Sequence, residues 1–508
     1  MNTKIAYVPL DSRPCNSIFP IKIGSIAGVE VLTPPLPLLG YFNKQGECEK
    51  IRGWLRNVAD KVDSIIISVE MLSYGGLIPS RNPGTKLNDA MKRLDIFRDL
   101  RRINPKARIS AFSLIMRLSV TAGIGAGEEL WKKIFMYSEL FDKVEEHGLQ
   151  NDKEQLSRLE KEIPQDVLIN FLGSRARNHE VNKKMLQLIS EGNLDFLVIG
   201  EDDVAKYGLH RKERESLGRA VSELSIGNKV KMMCGADEVG MMLVAKNAIK
   251  SSPKIFVHPS DPGGLEIVPL YEDRPLSRSI DEHISVIGAL RVNREEEADV
   301  ILFVNAPKGA QRDLFLEGPG GERGDLKGFV GKIREATMSG KMVAIADVHY
   351  ANGADPLFME LLQTEVLLKK LASFAAWNTA SNSLGSALAQ AAAFLAGEEN
   401  GEPSHAKASA GRQKTEDRNK TFLLERFIDD HLYQTVLRQK IKKDLLEKGI
   451  SIYDLKDEYA GVNWVVKQEL KALAIEFAKK HFKDIKVSDM QIDLPWPRIF
   501  EINAELRS

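Results

Sequence analysis

The sequence lacks an excess of charge of either sign, because 71 lysines and arginines balance 71 aspartates and glutamates in its 508 residues. A general electrostatic attraction to nucleic acid or to an acidic membrane is therefore not expected. Its three cysteines, Cys15, Cys48 and Cys234, form no CxxC pair, which predicts reduced thiols in a cytoplasmic protein. No apolar run approaches the roughly 18 residues of a membrane-spanning helix. The segment MNTKIAYVPLDSRP shows no export signal either.

Common nucleotide-binding motifs are also missing. The chain contains no GxxxxGKS/T phosphate loop, and no GxGxxG follows its first predicted strand. ATP or NAD binding through these motifs is therefore disfavoured. We expect a small polar ligand as the partner, with no cofactor, and the oligomeric state stays open.

What is present is a repeated alternation of short apolar runs with amphipathic helical stretches through residues 1–396, which predicts an α/β core. The runs are rich in Val and Ile without strict alternation, as expected for a mainly parallel sheet buried on both faces. A (β/α) barrel-like core and a pair of doubly wound lobes both fit. We favour the barrel because acidic strand ends recur at many points. The predicted strands are Ile5–Leu10, Val29–Leu32, Ser64–Val69, Arg108–Ile115, Phe196–Ile199, Lys229–Met233, Lys254–His258, Val300–Asn305 and Met342–Ala346.

Three further segments divide the chain. Residues 141–193 are highly charged and helix-patterned, and are interpreted as an inserted helical hairpin with a solvated face. Residues 397–420 are rich in Gly, Ser, Lys and Glu without apolar periodicity, which predicts a flexible insertion. Residues 421–508 are predicted to be mostly helical, ending in two short strands around Trp496.

Carboxylates follow two of the predicted strands directly. Glu201, Asp202 and Asp203 close one strand, and Asp237 and Glu238 close the next. The carboxyl edge of a parallel sheet is where ligands bind, and adjacent acids need a cation, a metal or a raised pKa. Helix capping is the simpler alternative. We interpret the candidate catalytic residues as Asp202, Asp203, Asp237 and Glu238.

Polar side chains also follow the first and third predicted strands. In YVPLDSRPCN, an Asp and an Arg two residues apart either shape the loop as an ion pair or bind a ligand. In SVEMLSYGGLIPSR, the paired glycines either make a tight turn or let the backbone approach a ligand. The predicted ligand-binding residues at these strand ends are Asp11, Arg13, Asn16, Glu70, Tyr74 and Arg81.

A later segment, AAWNTASNSLGSALAQAAA, places Trp377 and Asn378 just before a helix of small residues. Asn and Thr favour helix starts, and small residues permit close helix packing. An exposed Trp beside amides also suits a sugar, whose face stacks on the ring while its hydroxyls bind the amides. Trp377 and Asn378 are therefore added to the predicted substrate-binding residues.

Histidines offer an alternative site for a divalent metal. Asp347 and His349 lie two residues apart in IADVHYANGADP, so on an extended chain they point the same way. With the imidazole of FVHPSD and two of the strand-end acids, they form a ligand set of suitable chemistry. The alternative metal ligands are Asp203, Asp237, His258, Asp347 and His349.

Several motifs together resemble one family. They are VPLDSRP, EMLSYGGLIPSR, GADEVGMMLVAK, AAWNTASNSLG, ERFIDDHLYQ (Glu425–Gln434) and LPWPRIFE (Leu494–Glu501). They are similar to the uncharacterised bacterial family called domain of unknown function 4127, over nearly the whole chain. Residues 397–420 look like an insertion relative to that family. The resemblance carries no activity to transfer.

A Gly–Asp–Glu or Asp–Asp step at a strand end is also similar to the acid pair of retaining β-N-acetylhexosaminidases. That resemblance implies a substrate acetamido group as nucleophile, oriented by one acid while the adjacent acid protonates the leaving oxygen. The pair is then Asp202 and Asp203, or Asp237 and Glu238.

The leading hypothesis is a glycoside hydrolase-like enzyme that acts on a small carbohydrate, for example one containing N-acetylhexosamine, through strand-end carboxylates. One alternative is a metal-dependent hydrolase of a phosphoryl or amide bond. Another is a carbohydrate-binding protein without catalytic activity.

Overall fold

The computed structural model describes residues 3–121, 127–400, 405–487 and 489–506, and in residues 405–410 only the backbone. Its strands divide mainly between two parallel sheets. The first sheet has six strands in the order β2-β1-β3-β4-β5-β6. They are β1 (Lys4–Val8), β2 (Glu30–Leu32), β3 (Ser64–Ser68), β4 (Arg108–Ile115), β5 (Phe196–Glu201) and β6 (Val230–Cys234).

The second sheet has five parallel strands in the order β13-β11-β9-β7-β8. They are β7 (Lys254–Pro259), β8 (Leu290–Val292), β9 (Val300–Asn305), β11 (Val343–Asp347) and β13 (Ser373–Ala375). Two short ribbons complete the strands: β10 (Arg312–Asp313) pairs with β12 (Tyr350–Ala351), and β14 (Met490–Asp493) pairs with β15 (Asn503–Leu506). In each large sheet the first strand lies between the second and the third. The strand order therefore reverses there, which is where open α/β sheets bind ligands.

Helices surround the sheets. They are α1 (Pro14–Ser17), α2 (Phe19–Ile26), α3 (Cys48–Val58), α4 (Val69–Tyr74), α5 (Leu77–Ser80), α6 (Leu87–Arg93), α7 (Ile96–Ile103), α8 (Glu128–Phe141), α9 (Lys153–Glu162), α10 (Gln165–Ser190), α11 (His210–Glu223), α12 (Val239–Ala248), α13 (Leu276–Ile287), α14 (Leu314–Glu317), α15 (Leu326–Met338), α16 (Pro356–Glu365), α17 (Ala380–Asn400), α18 (His405–Arg426), α19 (Arg438–Glu447) and α20 (Tyr459–His481). A π-helical segment, Phe427–Leu437, connects α18 to α19.

Four helices, α2, α12, α13 and α17, lie between the two sheets and share one core with both of them. This core contains Phe112 of the first sheet and Val304 of the second sheet, each almost completely buried. Helix α17 is rich in Ala, Ser and Gly, which lets α12 and α13 pack closely against it. Other helices cover the outer faces, so the layers alternate α/β/α/β/α. The middle layer fixes the two sheets relative to each other.

A buried polar network joins the helices of this middle layer. The Glu238 carboxylate accepts a hydrogen bond from the Asn382 side chain at 2.5 Å and lies 3.4 Å from Nε2 of His283. Nδ1 of His283 lies 2.6 Å from the carbonyl oxygen of Ser279, so both ring nitrogens face acceptors. The charged imidazolium satisfies both contacts, and the Glu238 interaction raises the pKa of His283 against the effect of burial. Glu238 and His283 are completely buried.

The mainly parallel α/β fold and the helical C-terminal region are confirmed. All nine predicted strands are present, and β14 and β15 flank Trp496 as expected. The short strands β8, β10, β12 and β13 were not predicted, because runs of two or three residues carry too little periodicity. The strands divide between two sheets, as in the two-lobe alternative to a barrel. Acidic residues at many strand ends were the reason for favouring the barrel. Two separate parallel sheets produce such strand ends equally well.

Two predicted segments differ in their details. The backbone of residues 405–420 is helical in α18, and Thr415 and Asn419 are buried, whereas a flexible insertion was predicted. The Asn419 side chain donates to the carbonyl of Ala372, a tertiary contact without local sequence signal. Residues 401–404 lie outside the described residues. Segment 141–193 is helical as predicted, but its charges are not all solvated, since Arg175 and Arg177 are buried.

The three cysteines are buried free thiols. Within the described ranges, no helix combines the length and apolar character needed to cross a membrane.

The buried network predicts a structural role for Glu238. Glu238→Ala should lower the free energy of unfolding by about 3–5 kcal/mol, because it leaves the His283 charge buried without its partner. Urea denaturation followed by circular dichroism measures this loss, with the exposed Glu295→Ala as the matched control. Equal stabilities of the two variants would show that the network does not hold the middle layer.

Candidate functional site

A cleft opens where the carboxyl ends of the two sheets meet. Its walls come from five regions: the segment after β1, the segment after β12, the segment after β13, the π-helical segment, and the turn between β14 and β15. The lining residues are Arg13, Pro14, Cys15, Phe19, Asn352, Trp377, Asn378, Asp429, Gln434, Phe500, Glu501 and Ile502. Charged, amide and aromatic side chains therefore face one space.

An arginine shared by two carboxylates forms one wall. Nη2 of Arg13 lies 2.7 Å from Oδ2 of Asp11. Nη1 and Nη2 also lie 2.9 and 2.5 Å from the two carboxylate oxygens of Asp237. The Asn16 amide donates to both carboxylates, at 3.1 and 3.0 Å, and the guanidinium packs 5.0 Å from the ring centre of Trp496. These charge-assisted bonds tie the segment after β1 to the segment after β6.

The charge of this cluster affects Asp237. Burial raises the pKa of Asp237 to about 6, and the neighbouring Asp11 adds to the shift while Arg13 opposes it. One guanidinium cannot neutralise two carboxylates. The predicted ion pair of Asp11 and Arg13 is present, but its partner across the fold was not visible in the local sequence.

Two asparagines on the second sheet's side have left-handed backbone conformations. The φ angle is 63° for Asn352 and 51° for Asn378. The backbone nitrogen of Asn352 donates to the backbone carbonyl oxygen of Asn378 at 2.7 Å, and this bond holds the two segments together. Asparagine adopts this conformation more readily than most residues. Trp377 beside them is mostly buried, with 8% exposure, and donates from Nε1 to Ser386 at 3.0 Å, rather than lying exposed as predicted.

The π-helical segment contributes an acid and an amide. Oδ2 of Asp429 accepts from Nη2 of Arg426 at 3.0 Å, and Oδ1 accepts from Nε2 of Gln434 at 3.2 Å. Burial raises the pKa of Asp429 above its usual range, although Arg426 opposes the shift. π-Helical segments are frequent at functional sites, because the widened turn re-aims side chains.

The turn between β14 and β15 contributes Glu501 and Phe500. Arg498 donates to the Glu501 carboxylate from Nε and Nη2, at 2.9 to 3.1 Å, and neutralises its charge. The same guanidinium packs near the rings of Trp496 and Phe500. Asp429 and Glu501 thus line one cleft in different electrostatic environments.

Asp202 and Asp203 each form an ion pair with a different arginine, and neither of these arginines is Arg13. Arg81 donates to Asp202 at 2.6 Å and to the Thr121 hydroxyl at 3.0 Å, and Arg117 lies 2.5 Å from Asp203. Burial works against the charge of Asp202, but Arg81 and Arg117 hold its pKa below the usual range. Burial raises the pKa of Asp203 in spite of Arg117. The φ of 39° at Asp203 marks local backbone strain.

Glu70 and Tyr74 lie beneath the first sheet's edge rather than on the cleft wall. Glu70 is 3% exposed, and its Oε1 accepts from the backbone nitrogen of Leu114 at 2.8 Å. Burial raises its pKa to about 7. The ring of Tyr74 packs 4.5 Å from the Arg177 guanidinium, inside the outer core. Their predicted substrate-binding roles have no support in this placement.

The structure does not assemble the alternative metal set. His258 packs against Phe303 and Phe329, with ring centres 5.2 and 6.2 Å apart. Asp347 accepts from the Asn305 amide at 2.8 Å, and His349 packs on the Tyr350 ring. The other two predicted ligands, Asp203 and Asp237, pair with different arginines.

Among the described residues, one group of three side chains offers metal-ligand atoms within 4.8 Å of one another: Glu201, Cys234 and Asp273. Arg274 contacts both carboxylates of this group, lying 2.7 Å from Asp273, and Arg214 also contacts both. Two guanidinium groups therefore supply the positive charge in this cluster.

The family described as "Protein of unknown function (DUF4127)" matches residues 5–505. The chain belongs to this family. No curated protein matches it. Among solved structures, the Anabaena Alr3699/HepE complex with UDP and glucose is 10% identical, with 88% of this chain and 100% of that chain covered and a TM-score of 0.12. A similarity this low does not establish a common fold.

Four motifs that resemble the family converge on the cleft. VPLDSRP supplies Arg13, AAWNTASNSLG supplies Trp377 and Asn378, ERFIDDHLYQ supplies Asp429, and LPWPRIFE supplies Glu501. Sequence reasoning did not place the last two motifs at the site, although it identified both as family features. Their acids follow no predicted strand, so the strand-end rule did not select them.

The raised pKa of Glu70 predicts a pH-dependent stability. The unfolded chain releases this proton near pH 4 and the folded protein at about pH 7, so stability falls as pH rises between these values. Glu70→Gln removes this loss, and should be about 3 kcal/mol more stable than the wild type at pH 8 while matching it near pH 4. Urea titrations across this range test it, with exposed Glu215→Gln as control. A constant difference at all pH values would contradict the assignment.

Proposed function

We propose that the protein is a glycoside hydrolase-like enzyme that binds a small carbohydrate in this cleft. The observation that carries the proposal is the composition of the cleft wall, where amides, carboxylates and aromatic rings from four separate motifs face one space. Clefts with a few convergent polar groups among apolar surfaces are typical of small-molecule sites. The enclosed space here is about 20 Å³, room for about one water molecule, so carbohydrate binding requires the wall side chains to move apart. The position of the cleft at the carboxyl ends of two parallel sheets supports the same reading.

The chemistry of the wall suits hydroxyl groups. Asn352, Asn378 and Gln434 place amide groups on the wall, and Oδ1 of Asn352 has no donor among the described residues, so it can accept from a sugar hydroxyl. The partly exposed ring of Phe500 offers a face for stacking. Arg13, held between two carboxylates, supplies a rigid polar edge. A carbohydrate that contains N-acetylhexosamine is one of the small carbohydrates that we propose as ligands.

Two carboxylates of the cleft take complementary roles. Asp429, with a pKa raised by burial, is the proton donor to the leaving oxygen. Glu501, neutralised by Arg498, is the carboxylate that stabilises the reacting centre or activates water. A carboxyl group with a raised pKa beside a second carboxylate is a recurrent arrangement in glycosidases.

The acids predicted at strand ends fit this role less well. Asp202 and Asp203 are engaged with arginines, Asp237 is engaged with Arg13, and Glu238 is completely buried. Their catalytic roles remain predictions, and we assign Asp237 to positioning Arg13 on the cleft wall.

Arginine pairing also favours a second candidate function. Asp429 and Asp237 each accept from an arginine, and Glu501 does so too, an arrangement that equally suits a binding protein without turnover. In that case acid-to-amide substitutions change affinity and no rate is lost.

The roles of Asp429 and Glu501 predict a selective loss of turnover. Asp429→Asn should lower kcat on an alkyl glycoside by about 100-fold or more, because an alkoxide leaving group needs the proton donor, while the substitution keeps the acceptor for Arg426. Glu501→Gln should have a similar effect. Steady-state kinetics on a panel of alkyl glycosides measures kcat, and calorimetry measures carbohydrate binding.

The matched control is Asp166→Asn, an exposed acid on α10. Unchanged kcat in both cleft variants would reject the catalytic assignment. Carbohydrate binding without turnover by the wild type would support the binding-protein alternative, and absence of both would reject the proposed function.

A further inference from the structure

Arg438 is a buried cation whose hydrogen-bonding capacity is poorly used. Its side chain is 2% exposed, and Nη1 donates to Oε1 of Gln434 at 2.7 Å. Within the described part of the chain, no carboxylate oxygen lies within 4.0 Å of its guanidinium nitrogens. Nε is buried without an acceptor in the same set of residues. A guanidinium has five N–H donors, so most of its capacity is free for a ligand.

Other buried arginines contact carboxylates or several backbone carbonyls, although Nε of Arg426 also has no acceptor among the described residues. Arg426 contacts two aspartates, and Arg13 does the same. Arg177, which is also buried, donates to the backbone carbonyls of Asn82, Thr85 and Ser80. Burying an uncompensated charge is costly, so natural proteins pair such groups or use them. Arg438 therefore differs from these arginines, because among the described residues it has neither a carboxylate partner nor several carbonyl acceptors.

Aromatic rings hold the guanidinium beside the cleft. Its carbon lies 3.7 Å from the ring centre of Phe315 and 4.8 Å from that of Phe500. Phe500 and Gln434 both line the cleft, so Arg438 borders it through two direct contacts. Packing against these rings orients the plane of the guanidinium and its N–H donors. A fixed planar set of donors favours the binding of carboxylate or phosphate oxygens.

A second cation, Lys442, lies close to Arg438. Lys442 donates to the Phe315 carbonyl and lies 4.6 Å from the same ring. The neighbouring Asp313 is already bound, because it accepts from Tyr271 and from Asn352, at 2.8 Å each. Burial lowers the pKa of Arg438, and the nearby carboxylates oppose the shift without cancelling it.

We infer that Arg438 binds an anionic group of the ligand, a carboxylate or a phosphate, at the end of the cleft formed by Gln434 and Phe500. This inference rests on the proposed carbohydrate site and specifies its substrate class as an acidic carbohydrate, either a sugar phosphate or a uronic acid. Two or more charge-assisted hydrogen bonds from one guanidinium match either oxyanion.

The test measures anion binding by titration calorimetry of the full chain, with inorganic phosphate, glucuronate and glucose as probes. We expect the wild type to bind phosphate or glucuronate, and Arg438→Met to weaken that binding about 10- to 100-fold. The matched control Arg334→Met removes one exposed positive charge and should leave binding unchanged. Binding of phosphate alone identifies a phosphorylated substrate, and binding of glucuronate alone identifies a uronate.

Stability separates a ligand-binding role from a structural one. Without ligand, Arg438→Met should have a Tm equal to or above that of the wild type, because it replaces a poorly paired buried charge with an apolar chain. A marked fall in Tm, or failure to fold, would overturn the inference. Arg438→Lys keeps the charge but loses the planar fork, so its anion affinity should also fall.

Failure of the anion site and failure of the proposed function give different experimental results. If neither anion binds, or if binding persists in both Arg438 variants, the inference fails while turnover of neutral glycosides can still support the proposed function. If anions bind through Arg438 but no carbohydrate is bound or cleaved, the anion site stands and the proposed function fails.

Discussion

Packing of one helical layer between two parallel sheets is the constraint on which the rest of the structure depends. Helices α2, α12, α13 and α17 share their core with both sheets, so neither sheet can shift without exposing apolar surface. The Glu238–His283 contact places a buried charge pair inside this layer. Asn382 links that pair to Asn378 on the cleft wall, at 2.6 Å. The geometry of the cleft is therefore set by the interior rather than by its own surface.

Arginine–carboxylate pairs then organise the surface of the cleft. Arg13 bridges Asp11 and Asp237, and comparable pairs hold Asp429 and Glu501. Each pair offsets charge that would otherwise repel its neighbours, and each holds a carboxylate by charge-assisted hydrogen bonds. Such preorganisation is what a binding or catalytic site requires, because the groups need not be ordered when the ligand arrives.

Local sequence reasoning was effective where the signal was periodic or contiguous. It located the long strands and Arg13, Trp377 and Asn378 on the cleft wall. It placed Glu70 and Glu238 in the site as well, although both are enclosed by packing. An acid that follows a strand looks the same in sequence whether it faces a cleft or a core. What distinguishes the two cases is the partner, which comes from a distant part of the chain.

The sequence by itself determined the α/β class, the parallel strands and the family, since these depend on hydrophobic periodicity and on contiguous motifs. Tertiary structure alone decided that two sheets share a helical layer, and that segments near residues 13, 378, 429 and 501 meet in one cleft. It also decided which charges are paired. Burial and long-range contact set the protonation and orientation of each group, and neither quantity is encoded in any short stretch of chain.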